Sequence, residues 1–324
     1  MSAPVAWPDD VDAILTGDLT AGLAYVTPAG GTILTAVAPI GLRDRARGTV
    51  GFTTSLGFGR KLERIAADPR VALAYHSRQH GLSSQAGLVV VQGAASVEPD
   101  SSELREQTAA QAEVHMGPLR RGRFWDAWLQ AYYADRVVVT VTAQRILHWP
   151  DERGAGEPDV IGPLLPAALE ALAPPAKGTA ARLDVTKEVR RLRPAHRLLA
   201  WRGGDGYPVI VAADEITAGP DVIMVKSPAS ILPAGGRRAA LLAHEYHAEL
   251  IGLRTRYDLG WMEATPGWDG PSAPAVSPVR FAPHVAGGFF APPNKTVLLL
   301  ANGYLARRNL KRSRRKQGSS PAGS

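Results

Sequence analysis

Residues 50–76 read V-G-F-T-T-S-L-G-F-G-R-K-L-E-R-I-A-A-D-P-R-V-A-L-A-Y-H. An apolar run ends in three hydroxyl residues, Thr53, Thr54 and Ser55, and a loop with Gly57 and Gly59 follows. Arg60 and Lys61 then open a helical segment in which Leu62, Ile65 and Ala66 share one face; Asp68 and Pro69 stop it, and residues 71–75 start the next strand. Hydroxyls, free loop amides, a helix N-terminus and two cations thus converge within nine positions, the composition a phosphate group needs. The alternative reading is a capped helix with solvated cations. The spacing of a P-loop is missing, and position 62 is leucine where a dinucleotide fingerprint has its third glycine.

This stretch resembles the core of the pyridoxamine 5'-phosphate oxidase-like family of FMN-binding split β-barrels. In that family a strand ends in Thr or Ser, a short loop leads to Arg-Lys or Ser-Lys and a helix, and an Asp-Pro-Arg turn starts the following strand. The likeness extends over residues 23–149. Residues 88–97 stand where the family carries a Gly-x-Ala strand, and residues 135–149 are similar to its final barrel strand. The resemblance implies FMN, with Thr53, Thr54, Arg60 and Lys61 holding its phosphate. It also implies that the strand with Thr35, Val37 and Pro39 meets the flavin ring, and that Gln92 makes a polar ring contact. The Ala- and Arg-rich composition, as in high-GC bacteria, brings in the actinobacterial branch that uses the deazaflavin F420. The residues 280–283, Arg-Phe-Ala-Pro, are only a faint echo of the substrate region of the B6 oxidases.

Outward from the opening stretch, residues 23–27, 32–38 and 49–53 read as strands, with the turn Pro28-Ala-Gly-Gly31 between the first two. Asp9 and Asp10 can cap a helix to Leu15, and Ser101 or Ser102 one to about Val114. A helix over residues 123–134 carries the stripe Phe124, Trp125, Trp128, Leu129, Tyr132 and Tyr133. That stripe reads as a packed face, the alternative being that Trp125 or Tyr132 walls a cofactor ring. Short strands with few helices indicate a barrel.

The expected organisation is a flavin-binding split barrel over residues 1–150, a Pro-, Gly- and Ala-rich linker over 151–183, a degenerate second barrel over 184–306 and a basic disordered tail over 307–324. Laying Gly59-Arg60-Lys61 on Gly236-Arg237-Arg238 brings residues 72–76 roughly opposite 240–244 once a short gap is allowed, and makes residues 252–257 an echo of 93–97. Ser230, Arg237 and Arg238 then become candidates for a second phosphate site. Family members are homodimers with flavin between two barrels, so two fused copies imply a pseudo-dimer within one chain, open to further self-association.

Composition narrows the partners. The net charge of +7 equals the seven cations at positions 307–316, which leaves the body balanced, so nucleic acid is not the expected partner. The N-terminal ten residues lack a basic stretch followed by an apolar one, no apolar run reaches membrane-spanning length, and cysteine is absent. A cytoplasmic protein acting on a small molecule without a membrane is the expectation. His244-Glu-Tyr-His247 lacks zincin spacing, and no metal site is expected. Arg78, Gln79 and His80 read as a loop near the site mouth or in solvent. No acid–base residue stands out, as befits an oxidoreductase whose cofactor carries the chemistry; a non-catalytic flavin or haem binder is the alternative.

Overall fold

The computed structural model describes residues 4–77, 79–99, 101–118, 120–167, 170–264 and 277–318. In the first half β1 (Ala21–Val26), β2 (Thr32–Val37), β3 (Arg43–Asp44), β4 (Thr49–Ser55), β5 (Arg70–Tyr75), β6 (Leu88–Val97) and β7 (Arg136–Trp149) form an antiparallel sheet. Their spatial order is β2-β1-β5-β6-β7-β4-β3, and a short β8 (Asp159–Ile161) pairs with β7. The second half supplies β9 (His196–Arg202), β10 (Pro208–Ala212), β11 (Glu215–Ala218), β12 (Ile223–Ser227), β13 (Gly235–Glu245), β14 (Arg254–Ala264) and β15 (Ser277–Phe290). Their order, β10-β9-β13-β14-β15-β12-β11, is the first order repeated strand for strand.

Each sheet curls on itself. Thr53 N donates to Ala38 O at 2.9 Å in the first half, and Asp214 N donates to Lys226 O at 2.9 Å in the second. The chain is two tandem split β-barrels with helices at the periphery: α1 (Asp9–Gly17), α2 (Gly59–Ala67), α3 (Ser102–Met116), α4 (Arg123–Ala134), α5 (Val185–Arg191) and α6 (Lys295–Gly318). The second barrel is the reduced one, since residues 228–234 join β12 to β13 with no counterpart of α2. Among the described residues, no helix is long and apolar enough to cross a membrane.

Strand registers align the halves residue by residue. The ladder slips by one residue between Gln92 and Gly93 on β6, and between Leu259 and Gly260 on β14. Both bulges need glycine: a Cβ on Gly93 would lie 2.2 Å from Thr142 O, and one on Gly260 2.0 Å from Ala282 O. Gly93 pairs with Val71 and Gly260 with Ala239, so residues 72–76 do correspond to 240–244. The counterpart of Gly93 is therefore Gly260, and the expected echo at residues 252–257 is displaced. Gly59-Arg60-Lys61 does not match Gly236-Arg237-Arg238 either. The former opens a helix and the latter lies in β13, where Arg238 is the counterpart of Arg70.

Strands buried on both faces explain the unbroken apolar runs at residues 71–75 and 88–91. Leu23, Tyr25, Leu73 and Val91 fill the first barrel, and Leu199, Val211, Leu241 and Met262 the second. The opposite faces meet in a seam of Ala24, Ala72, Ala74 and Leu34 against Ala200, Ala212, Ala240 and Leu242. The six alanines of this cluster let the two sheets approach closely.

The region 151–183 is tied down at several points: β8 lies on β7, Gly156 bridges to Ala229, and Leu172 N donates to Gly236 O at 2.8 Å. The tail expected from residue 307 continues instead as helix to Gly318, and residues 319–324 lie outside the described ones. Its start rests on α4 and on the end of β4, through Arg307 and Asn309. Arg307 stands 3.9 Å from the Trp128 ring centroid, and Gly303 lets that indole approach.

Inside the second barrel, Glu188 of α5 and Asp258 of β14 are both buried and share Arg256, which bonds Glu188 and places Nε 3.3 Å from Asp258 Oδ1. Burial first, then the Glu188 charge, push the Asp258 carboxyl up to about 7. A raised carboxylate pKa means that stability is fullest below 3.8 and falls as pH rises toward 7, on the order of 1.4 kcal/mol per pH unit. Asp258→Asn is expected to raise stability at pH 8 by roughly 1–3 kcal/mol and to flatten that slope. Urea titrations at several pH values check this.

Candidate functional site

At the end of β4 the turn Leu56–Phe58 leads into α2. Ser55 Oγ accepts from Gly57 N at 2.9 Å and donates to Asp135. Asn309 of α6 donates to Ser55 Oγ at 3.2 Å and to Asp135 Oδ2 at 3.4 Å, and a Cβ on Gly57 would strike its amide. Burial raises the Asp135 carboxyl pKa against the pull of the Ser55 and Asn309 hydrogen bonds. The loop expected to cradle a phosphate therefore faces the protein's own carboxyl and amide.

The four expected phosphate residues divide. Successive residues point to opposite faces of a strand, and successive helix residues lie about 100° apart. Thr54 and Lys61 meet: Lys61 is 9% exposed and its Nζ donates to Thr54 Oγ1 at 3.2 Å, over the Phe58 ring at 4.7 Å. Burial, then Arg136, push its pKa down to about 8. Among the described residues no carboxylate pairs with it. Arg60 is exposed, and Thr53 turns to the outer face of β4.

The remaining candidates lie apart from this corner. Thr35 is half-buried opposite Leu23, and Val37 lies in the first barrel core. Gln92 is fully buried; Nε2 donates to Pro208 O at 2.7 Å, and Oε1 accepts from Arg145, which also pairs with Asp205 at 2.9 Å. Its amide thus bridges the two halves instead of facing an open pocket. In the second half, Thr53 and Thr54 correspond through the ladders to Lys226 and Ser227, not to Ser230. Arg237 donates to Ala234 O at 2.7 Å and Arg238 to Ala29 O at 2.9 Å, so neither repeats the role expected for Arg60 or Lys61. Among the described residues no group of histidines and acids could hold a metal; Arg78 lies outside them.

The open space lies on the outer face of β4 and β7, where α3 and α4 arch over the sheet. A cavity of about 260 Å³ opens there, with Thr53 in its wall. Ile40 and Val138 form its floor, and Leu104, Ala112 and Met116 of α3 its roof. Thr108 lines it with a buried hydroxyl that makes no hydrogen bond. Arg105, Arg136 and Glu98 supply its charges, and Arg136 donates to the Tyr132 hydroxyl and lies 4.4 Å from that ring's centroid. Burial raises the pKa of the neighbouring Tyr133 phenol. Such a space accepts a flat, largely apolar group with a few acceptors and an anionic appendage. Tyr132 carried a sequence signal as a ring wall. Thr108 and Arg136 carried none, because only the docking of α3 brings them to one space.

No family model matches the chain, and no curated protein matches it. Among solved structures it is similar to a conserved hypothetical protein from Mycobacterium tuberculosis, at 21% identity and TM-score 0.36 over 47% of this chain and 89% of that one. It is also similar to a putative pyridoxamine 5'-phosphate oxidase from Listeria innocua, at 16% identity and TM-score 0.32 over 44% and 98%. A third is an F420 reductase, at 20% identity and TM-score 0.31 over 43% and 96%.

Proposed function

We propose that the first half binds a flavin-type cofactor, FMN or the deazaflavin F420, in the cavity beneath α3 and α4. On this reading the chain is an oxidoreductase that transfers hydride or electrons between that cofactor and a small molecule. The carrying observation is the cavity: apolar walls, a buried hydroxyl without a partner, and guanidinium groups beside it.

The donor set fits the cofactor class. Leu104, Ala112 and Met116 suit the face of a fused ring and keep water from it, while the Thr53 and Thr108 hydroxyls suit its polar edge. Arg105 and Arg136 suit a phosphate, since guanidinium forks grip two oxygens at once. Tyr132, held by Arg136, closes one side. A bound flavin-type cofactor supplies the redox chemistry, and the protein's part is orientation and exclusion of water.

The test is FMN titration by fluorescence quenching, beside the absorption spectrum of the purified protein and mass spectrometry of any released ligand. Arg136→Ala is expected to weaken FMN roughly 10- to 100-fold through loss of a charge-assisted contact. Ala109→Trp, which fills the cavity, is expected to abolish binding, while Lys61→Ala leaves it unchanged. The reverse pattern would return the phosphate to the α2 corner. FMN affinity untouched by Ala109→Trp and Lys61→Ala alike would overturn the reading. Bound FMN without turnover of any reduced donor would make the chain a binding protein.

A further inference from the structure

Helix α6 buries one stripe and exposes another. Leu299, Gly303 and Ala306 face the protein, one helical turn apart. On the opposite side Val297 is 50% exposed, Leu300 37% and Tyr304 61%, and the same line continues through the exposed Arg308 and Lys311. Leu305 is also 40% exposed. Phe124 of α4, 59% exposed, stacks on Trp128, which lies against Gly303 of α6, and the guanidinium of Arg120 donates to Thr296 Oγ1 at 2.7 Å. Arg121 and Arg123 follow in sequence; Glu113 pairs with Arg121, Asp126 is exposed on α4, and Glu249 pairs with Lys295 at the start of α6. In sequence α6 contains no acid, and Arg312, Arg314, Arg315 and Lys316 follow in it.

We propose that this face of α4 and α6 docks on an anionic lipid surface. Exposed aliphatic and aromatic side chains gain by entering the headgroup and acyl boundary, and cations at the ends of the strip gain from acidic headgroups. A nucleic acid would use the cations but leave Val297, Leu300 and Leu305 in water. A second copy of the chain is disfavoured because a two-fold contact would set Arg308 and Lys311 against like charges. The strip needs no unfolding to act, since the buried stripe already fixes α6 on α4.

The experiment is flotation of the full chain with phosphatidylcholine vesicles, with and without phosphatidylglycerol, at low and high salt. Binding to the anionic vesicles alone, weakening with salt, is expected. Leu300→Glu with Tyr304→Glu should reduce it roughly tenfold or more, and Arg308→Glu with Lys311→Glu by a similar factor. These positions are exposed, so unchanged thermal unfolding confirms that each variant is folded. Equal binding to neutral vesicles, no binding to either, or full binding by the Leu300→Glu, Tyr304→Glu variant would overturn the proposal. Retention on a DNA duplex in place of vesicles would overturn it as well.

Discussion

Lowering the pH from about 7.5 to about 5 is expected to loosen the seam between the two barrels, because burial disfavours the charged form of two histidines at its end, His196 and His244. His76 of the first half meets its own counterpart, His244, with ring centroids 5.0 Å apart, and His196 stands 5.4 Å from His244 and 5.9 Å from His76. Thr20 Oγ1 and His244 Nε2 are 3.1 Å apart, and Ser77 Oγ and His196 Nε2 3.0 Å; Ser77 also bonds Tyr246. These contacts join one half to the other. Gln79 and His80 border the cluster, and among the described residues the acid that touches it is Asp18, which accepts from Ser77 N at 3.3 Å.

Burial lowers the His196 pKa from 6.5 to about 4. His244 lies well below 6.5 through burial, then through His76 and His196. A depressed histidine pKa means that the unfolded chain takes up protons that the folded one refuses. Stability is therefore full above 6.5 and declines as pH falls toward about 4. Each imidazole removes on the order of 1.4 kcal/mol per pH unit, so between 6.5 and about 5 the pair removes roughly 4 kcal/mol, a large share of the roughly 5–15 typical of a domain. Urea midpoints across this range, with small-angle scattering to detect parting of the halves, are the measurement. His196→Gln with His244→Gln, checked for native near-ultraviolet dichroism at neutral pH, should flatten the slope. A double variant with an undiminished acid slope would place the sensitivity elsewhere.

Exchanging Gly22 and Leu198 is expected to restore much of the stability that either change alone destroys. Gly22 pairs with Ala74 and Leu198 with Leu242, and Ala74 and Leu242 are counterparts, so the two positions are equivalent in the repeat. They also face each other: a Cβ on Gly22 would lie 2.4 Å from Leu198 Cδ1. One leucine fills a space that two cannot share. Gly22→Leu should cost roughly 1–3 kcal/mol by overpacking, and Leu198→Gly about 4 kcal/mol through a cavity and a flexible strand residue. In the double variant a leucine enters the same space from the other sheet, giving a favourable coupling of about 2 kcal/mol in a denaturation cycle. Strictly additive losses would show that the seam does not have the self-complementary packing of a pseudo-dimer.

The helix at residues 123–134, the β1–β2 hairpin and the strand–helix–strand unit around Thr53 were legible because each follows from local periodicity and turn chemistry. The match of residues 72–76 with 240–244 was legible too, since both strands carry the same apolar run ending in histidine. The match at residues 252–257 was displaced because a glycine pattern alone does not reveal a bulge; only the ladder tells which glycine lies under a carbonyl. Arg60 and Lys61 looked like one grip because they are adjacent in sequence, but a helix turns neighbours apart, and the barrel buries one of them.

Two barrels followed from sequence, because short strands with few helices, the resemblance of residues 23–149 to a split barrel and the repeated apolar run ending in histidine are all carried by neighbouring residues. The cavity beneath α3 and α4, the histidines at the seam and the helical course of residues 307–318 came only with tertiary structure. Each depends on surfaces from distant segments meeting, and a hydroxyl such as Thr108 or a basic run such as that of α6 reads the same in sequence whether it faces water, a partner helix or a hollow.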